Sequence, residues 1–123
     1  MSDKRRSYRL PIELPTSFKV FAEQSHISLG MINEISATGF SFATKEFLSP
    51  GQELSMIVRF TDDQRLTLPV KVVWSRQESY VDPPDYFVGV KLLEPLTLET
   101  AQYIRVYVRY FFSAFMKTKV DEK

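Results

Sequence analysis

The chain has 123 residues, which is enough for one domain with a single hydrophobic core. Apolar residues make up 44% of it and charged residues 25%, as in ordinary globular proteins. The net charge of +1 argues against a nucleic-acid-binding protein, and the lack of cysteine excludes disulfides and thiolate metal sites. No apolar leader and no stretch of roughly 20 apolar residues occurs, so we expect a cytoplasmic protein without a membrane span.

Positive charge is concentrated at the N-terminus. Residues 1–9 contain one aspartate and four cationic residues, which are Lys4, Arg5, Arg6 and Arg9. A guanidinium group binds a phosphate through two hydrogen bonds or stacks on a base. The spacing Arg5-x-x-x-Arg9 lets two such groups converge on one multivalent anion. Taken alone, a charge run is more often a solvated tail. We assign residues 1–13 to a flexible arginine-rich arm.

The middle of the chain shows the two-residue alternation of apolar and polar side chains that is typical of β-strands. The alternation is clearest at residues 17–22, 54–60, 66–74 and 86–92. It is weaker at residues 27–32 and 38–43. Six short strands predict an antiparallel barrel or sandwich, which we assign to residues 14–95. Pro69 predicts that its strand lies at an edge or carries a bulge.

A short polar turn at residues 34–39 separates two of the apolar runs. Glu34 and Ser36 can hydrogen bond to the polar edge of a base, and Gly39 permits a tight turn. Without the arginines, Ser36 and Gly39 would be read as turn formers. Both signals together indicate recognition of a nucleotide rather than catalysis.

Two other candidate residues have simpler explanations. Trp74 shares the apolar face of its strand with Val70 and Val72, which favours the core and leaves stacking on a ligand as the second alternative. His26 is the only histidine, and a metal site needs several ligands. We therefore expect no metal site. No serine lies in a nucleophile elbow, so we do not expect an enzyme either.

The C-terminal segment fits a strand by alternation and a helix by its apolar stripe, which contains Ala101, Ile104, Val108, Phe111, Phe112 and Phe115. About 20 residues without glycine or proline favour the helix, for which Thr97 is the N-cap. We assign a helix to residues 96–118 and a tail to 119–123. Tyr103, Tyr107 and Tyr110 form a second stripe, so the helix either caps the barrel or offers a surface for homodimerisation or protein docking.

The pair Arg5-x-x-x-Arg9 followed by acidic-x-Ser36-x-x-Gly39 resembles the PilZ family, whose small β-barrels commonly bind cyclic di-GMP. Residues 70–74 resemble the family's strand that ends in tryptophan, and residues 86–92 resemble its glycine-containing aromatic strand. The resemblance runs from residue 5 to about residue 93. It implies a mainly β fold, a small six-stranded antiparallel β-barrel with a C-terminal α-helix.

The chain departs from the family pattern at the first position of the turn motif. The family usually has Asp or Asn there, whereas this chain has Glu34, with Asn33 one place earlier. The longer carboxylate has to fold back to make the same contact. Asn33 cannot take its place, because a shift of one residue in a strand points the side chain to the other face.

The resemblance implies a non-catalytic receptor for the bacterial second messenger cyclic di-GMP, which signals to a protein partner in motility, exopolysaccharide or pilus systems. The ligand-binding residues that it implies are Lys4, Arg5, Arg6, Arg9, Glu34, Ser36 and Gly39. The cations would hold phosphate and stack on guanine, the turn would read the guanine edge, and the arm would wrap over the ligand. Two alternatives stay open: an adaptor that has lost nucleotide binding, and a barrel that binds single-stranded nucleic acid.

Overall fold

Six β-strands are followed by one α-helix: β1 (Leu10–Val20), β2 (Glu23–Ser36), β3 (Gly39–Thr44), β4 (Glu53–Arg59), β5 (Arg65–Ser79), β6 (Asp85–Leu92) and α1 (Leu98–Asp121). The structure is a computed structural model that describes residues 10–21, 23–60, 64–79, 84–93 and 97–121. All strand pairs are antiparallel, and the order β1-β2-β3-β6-β5-β4 closes through pairing of β4 with β1. The predicted six-stranded antiparallel barrel with a C-terminal helix is therefore confirmed.

The interior of the barrel is filled by the inward-facing side chains of all six strands. At most 2% of each of the largest is exposed: Phe18, Ile32, Phe42, Leu54, Met56, Leu68, Val70 and Val88. Burial of this apolar surface is the main driving force for folding. Because side chains fill small barrels of this kind, a ligand has to bind on the outer surface or at the rim.

Irregularities interrupt the strand pairing at several points. One lies between Ile32 and Glu34 in the pairing of β2 with β3, and another between Val72 and Trp74 in the pairing of β5 with β6. An extra residue at such a bulge changes the alternation, so the side chains that follow it point to the other face. Both irregularities precede residues that the sequence selects as ligand-binding candidates.

Strand β1 begins at Leu10, so residues 10–13 belong to the barrel rather than to the arm in which the sequence had placed them. The physical reason is burial, since Leu10 and Leu14 both belong to the core. The four cations Lys4, Arg5, Arg6 and Arg9 lie outside the described residues.

Helix α1 closes one end of the barrel with its tyrosine stripe. Tyr103 is fully buried, and its ring lies 6.0 Å from that of Phe40 and 6.4 Å from that of Phe60. Thr97 caps the helix as predicted, because its hydroxyl accepts the amide hydrogen of Thr100 at 3.1 Å.

Two members of the apolar stripe that favoured the helix, Ala101 and Val108, do not pack on the barrel. Both are exposed, whereas Val106 and Tyr107 are buried beside Tyr103. Large aromatic rings fill the open end of the barrel better than an alanine and a valine do. Within the described parts of the chain, no helix combines the length and the apolar character that crossing a membrane requires.

Candidate functional site

A shallow cavity of about 200 Å³ lies at the surface where β2, β3, β5 and β6 meet. Four candidate residues from the sequence line it together: Glu34, Ser36, Gly39 and Trp74. Because β3 pairs with β6 and β6 pairs with β5, the turn at residues 34–39 lies near Trp74 although the two are far apart in sequence.

The turn between β2 and β3 forms one wall of the cavity. Ser36 pairs with Gly39 across it, and Ala37 and Thr38 connect the two strands. The Ser36 hydroxyl donates a hydrogen bond to the carbonyl oxygen of Gly39 at 3.2 Å, and the Ser36 side chain is buried. While it donates this bond, the hydroxyl oxygen still has a lone pair with which it can accept a hydrogen bond from a ligand.

Gly39 is needed because the backbone of β6 passes very close to it. A Cβ atom at this position would lie 2.1 Å from the carbonyl oxygen of Val90 and 2.9 Å from the Cα atom of Lys91. Among the described glycines, positive φ occurs at Gly51 and not at Gly39. The sequence analysis explained Gly39 by the backbone freedom that a tight turn needs, and this explanation is wrong. Position 39 needs glycine because β6 packs closely against it.

Tyr103 of α1 lies beneath the same turn. Its hydroxyl donates to the carbonyl oxygen of Ser36 at 2.6 Å and to that of Gly39 at 2.7 Å. Burial raises the pKa of the Tyr103 hydroxyl far above its usual value, so the group keeps its proton and acts as a donor. The sequence placed Tyr103 on a helix stripe but gave no signal for this contact, which joins residues more than 60 positions apart.

Trp74 lies at the cavity rather than in the core, so the preferred sequence assignment is wrong. The irregularity after Val72 reverses the alternation, which leaves Val72 buried and Trp74 half-buried on the outer surface. The indole lies across Gly89, where a Cβ atom would approach Trp74 Nε1 to 2.1 Å. Gly89 therefore provides the space in which the indole packs.

Arg76 extends this aromatic surface along β5. Its guanidinium carbon lies 5.8 Å from the centre of the Trp74 ring and 5.7 Å from that of Phe87, within the range of cation–π contacts. The Arg76 side chain also contacts the carboxylate of Glu78.

Sequence reasoning missed Arg76, Gly89 and Lys91, of which the last two line the cavity. Strand alternation was the available signal. Arg76 follows Trp74 by two residues, and Gly89 and Lys91 are likewise two apart in β6, so each pair shares a face.

Asn33 does not line the cavity. It occupies the irregular position of β2, and its side-chain oxygen accepts a hydrogen bond from the Ser41 hydroxyl at 2.7 Å. Glu34 lines the cavity and is half-buried, as is consistent with the prediction that Asn33 cannot take its place.

The N-terminal segment enters the barrel beside the cavity. Leu10 pairs with Ile35 and Pro11 pairs with Glu34, so the first described residues lie next to the turn. In sequence, Leu10 directly follows Arg9. The described part of the chain therefore begins on this side of the barrel.

Solved structures of low sequence identity share this fold. The chain is similar to the PilZ domain with c-di-GMP of YcgR from Escherichia coli, with a TM-score of 0.69, 12% identity, and coverage of 95% of this chain and 98% of that one. It is also similar to the K. pneumonia MrkH–c-di-GMP complex, with a TM-score of 0.74 and 15% identity over 94% of this chain and 56% of that one. The chain thus spans about half of MrkH.

A third similar structure is a tetrameric PilZ domain from Xanthomonas campestris that self-assembles through a helical bundle. Its TM-score is 0.69 at 13% identity, and the match covers 90% of this chain and 91% of that one. A search of curated proteins found no match. The sequence profile of the PilZ domain matches residues 3–110. Since this match covers most of the chain, the protein belongs to the PilZ family.

Proposed function

We propose that this protein is a non-catalytic receptor for cyclic di-GMP in the cytoplasm of a bacterium. The observation that carries the proposal is the pairing of Leu10 with Ile35, since Leu10 directly follows Arg9 in sequence and lies beside the turn motif that lines the cavity. Two of the similar solved structures, those of the YcgR domain and of MrkH, contain c-di-GMP.

In this proposal the N-terminal cations bind the phosphates of the ligand. Arg5 and Arg9 hold phosphate through paired hydrogen bonds and stack on guanine, and Lys4 and Arg6 add positive charge. Lys91 supports the same role, because it is exposed at the wall of the cavity.

The wall formed by the turn recognises the base. Guanine presents N–H donors, which suit the carboxylate of Glu34 and the hydroxyl oxygen of Ser36 as acceptors. Gly39 keeps side-chain bulk away from the turn, and the half-buried indole of Trp74 offers an aromatic surface for stacking. Two or three charge-assisted contacts of roughly 1.5–3 kcal/mol each are enough for micromolar affinity after the costs of ordering.

Signalling in this proposal depends on the contacts that the N-terminal cations make with the ligand. When the N-terminal cations close over cyclic di-GMP, the surface that a partner protein meets changes, so a domain without catalysis can transmit the signal. Self-association through α1 is a second means of output. It is supported by exposed Val108 and by the helical bundle of the Xanthomonas structure.

Calorimetric titration with cyclic di-GMP tests the proposal. We expect a dissociation constant in the low micromolar range or below, with GMP and GTP binding far more weakly because each lacks part of the ligand. The absence of both heat and a shift in melting temperature at saturating ligand would overturn the proposal in favour of the adaptor. Titration with a single-stranded oligonucleotide at low salt separates the nucleic-acid alternative, for which binding should be strong and sensitive to salt.

A further inference from the structure

The turn between β2 and β3 is a two-residue hairpin loop that does not adopt the turn types most common at this length. Hairpin loops of this length usually adopt type I′ or II′ turns, whose twist matches that of the strands and which need positive φ at one or both central residues. Neither Ala37 nor Thr38 has positive φ. The twist of this turn therefore does not match that of the favoured types, and contacts from outside the hairpin help to hold the strand ends together.

Three groups hold the carbonyl oxygens of this turn. The backbone N–H of Leu92 donates to the carbonyl oxygen of Thr38 at 2.9 Å, and the Ser36 hydroxyl donates to that of Gly39. The Tyr103 hydroxyl donates to the carbonyl oxygens on both sides of the turn, at 2.6 Å and 2.7 Å. Tyr103 thus joins the end of β2 to the start of β3 from outside the hairpin, in addition to the Ser36 hydroxyl within it.

The position of the Tyr103 hydroxyl depends on how α1 packs on the barrel. The residue is fully buried, and its ring packs against Phe40 and Phe60. A phenol has one rotatable hydrogen and no flexible chain, so its oxygen cannot move without the ring. Displacement of the first turns of α1 would therefore withdraw the donor from the turn.

We propose that Tyr103 is a positioning residue for the candidate site, through which the packing of α1 and the binding of cyclic di-GMP stabilise each other. The proposal rests on the proposed function. Coupling between two parts of a molecule is reciprocal, so a helix that improves ligand affinity is itself stabilised by the ligand. Ligand binding at the site then stabilises the packing of α1, the helix on which the exposed Val108 lies.

Tyr103→Phe tests the proposal, because it removes the hydroxyl and keeps the ring. We expect cyclic di-GMP affinity measured by calorimetry to fall about tenfold, as for the loss of one buried hydrogen-bonding group. Tyr107→Phe is the matched control, since Tyr107 is buried on the same helix one turn later. Its affinity should stay within about twofold of wild type when both variants are fully folded at the temperature of the titration.

Hydrogen exchange gives a readout that a merely structural role would not move. In the ligand-free protein, the amides of residues 36–39 should exchange faster in Tyr103→Phe than in Tyr107→Phe, while those of β4 stay unchanged. In the wild type, ligand should increase protection of residues 98–110. The proposal would be overturned if the two variants had equal affinities for cyclic di-GMP and equal rates of hydrogen exchange at the amides of residues 36–39.

Failures of the two proposals are distinguishable. If the wild type does not bind cyclic di-GMP, the proposed function fails, and turn exchange in the free variants alone decides the role of Tyr103. If Tyr103→Phe does not fold, the wild-type experiment decides, and unchanged protection of α1 on ligand binding overturns the coupling.

Discussion

Glu34 carries one more methylene group than the aspartate that usually opens the turn motif of PilZ domains. It is half-buried, lines the cavity and follows the irregularity after Ile32. The longer side chain has to fold back to reach a guanine edge. We therefore expect Glu34→Asp to tighten cyclic di-GMP binding by on the order of 1 kcal/mol in calorimetry, since one hydrogen-bonded contact is improved rather than created.

Glu53→Asp is the control for this substitution, because Glu53 is exposed at the start of β4 and does not line the cavity. Weaker binding by Glu34→Asp would mean that the pocket is adapted to glutamate. Unchanged affinity in both Glu34→Asp and Glu34→Ala would contradict a role of Glu34 in reading the base.

The N-terminal arginines allow binding to be separated from stability. Arg5→Ala and Arg9→Ala should each weaken cyclic di-GMP binding by roughly 1.5–3 kcal/mol, because each removes a charge-assisted contact. Arg9→Lys should be nearly as damaging, since an ammonium group cannot reproduce forked hydrogen bonds or stacking. The melting temperature of the free protein should stay the same, because arginine side chains seldom belong to a core.

The control for these variants is Arg59→Ala, which removes an exposed cation at the end of β4. Its affinity should equal that of the wild type at constant ionic strength. Full affinity in the double variant Arg5→Ala/Arg9→Ala would show that these residues form a solvated tail.

Gly39 and Gly89 differ in the atoms that an added side chain would contact. An added methyl group at Gly39 meets the backbone of β6, whereas one at Gly89 meets the Trp74 side chain. Replacement of glycine by alanine gains about 0.4–1 kcal/mol through the unfolded state, which a clash with a fixed backbone exceeds. We expect Gly39→Ala to lower the melting temperature clearly more than Gly89→Ala does.

Gly89→Ala should instead change the fluorescence of Trp74, the only tryptophan, because the indole has to move off β6. Equal melting temperatures for Gly39→Ala and the wild type would show that β6 yields easily at Val90. An unchanged emission spectrum in Gly89→Ala would contradict the packing of the indole on Gly89.

At the scale of elements, periodicity predicted the six strands and the helix but not the faces that follow a bulge. Alternation counted from Val70 places Trp74 inside the barrel, and one extra residue after Val72 places it outside. Insertion of that residue depends on how β5 pairs with β6, which is a contact between distant segments. No local pattern in β5 contains this information.

Pro69 shows a second case, in which local chemistry predicted an edge or a bulge that depends on tertiary pairing. It lies within β5 opposite Ser55 of β4, and its carbonyl oxygen accepts a hydrogen bond from the backbone N–H of Leu93 at 3.0 Å. Pro69 therefore faces β6 where that strand ends, at Leu92. The predicted edge or bulge at Pro69 is not found, because β5 pairs with both β4 and β6 and its irregularity lies after Val72. The missing N–H of proline is tolerated because the pairing with β6 ends next to it, at Leu92.

The exposed side of α1 provides a test of self-association. Val108 is 42% exposed on the face opposite the buried tyrosines, so Val108→Asp should weaken any helix-mediated dimer by at least about tenfold without lowering the melting temperature. Sedimentation over a range of concentrations measures this. Gln102→Asp, also exposed, is the control near the start of the helix. A wild type that stays monomeric at all concentrations would contradict self-association.

At the scale of the whole molecule, ligand binding should appear as thermal stability. A ligand at about 100 times its dissociation constant adds roughly 2.7 kcal/mol, which for a domain of this size raises the melting temperature by about 10 °C. GMP at the same concentration should produce no comparable shift. A melting curve that is the same with and without cyclic di-GMP would contradict the proposed function independently of calorimetry.

Closure of the barrel also limits how a partner can recognise this protein. Each of the six described strands has a neighbour on both sides over part of its length, so none of them is an edge strand, although the long strands β1, β2 and β5 extend past one of their partners. Many peptide-binding domains capture their partners by β-augmentation, in which an extended peptide adds a strand to an open edge. That mode needs backbone donors and acceptors that in the paired part of the barrel already bond to each other. A partner that docks on this part therefore has to contact side chains, and a search for its docking surface should replace the outward-facing residues of each strand and the exposed residues of α1.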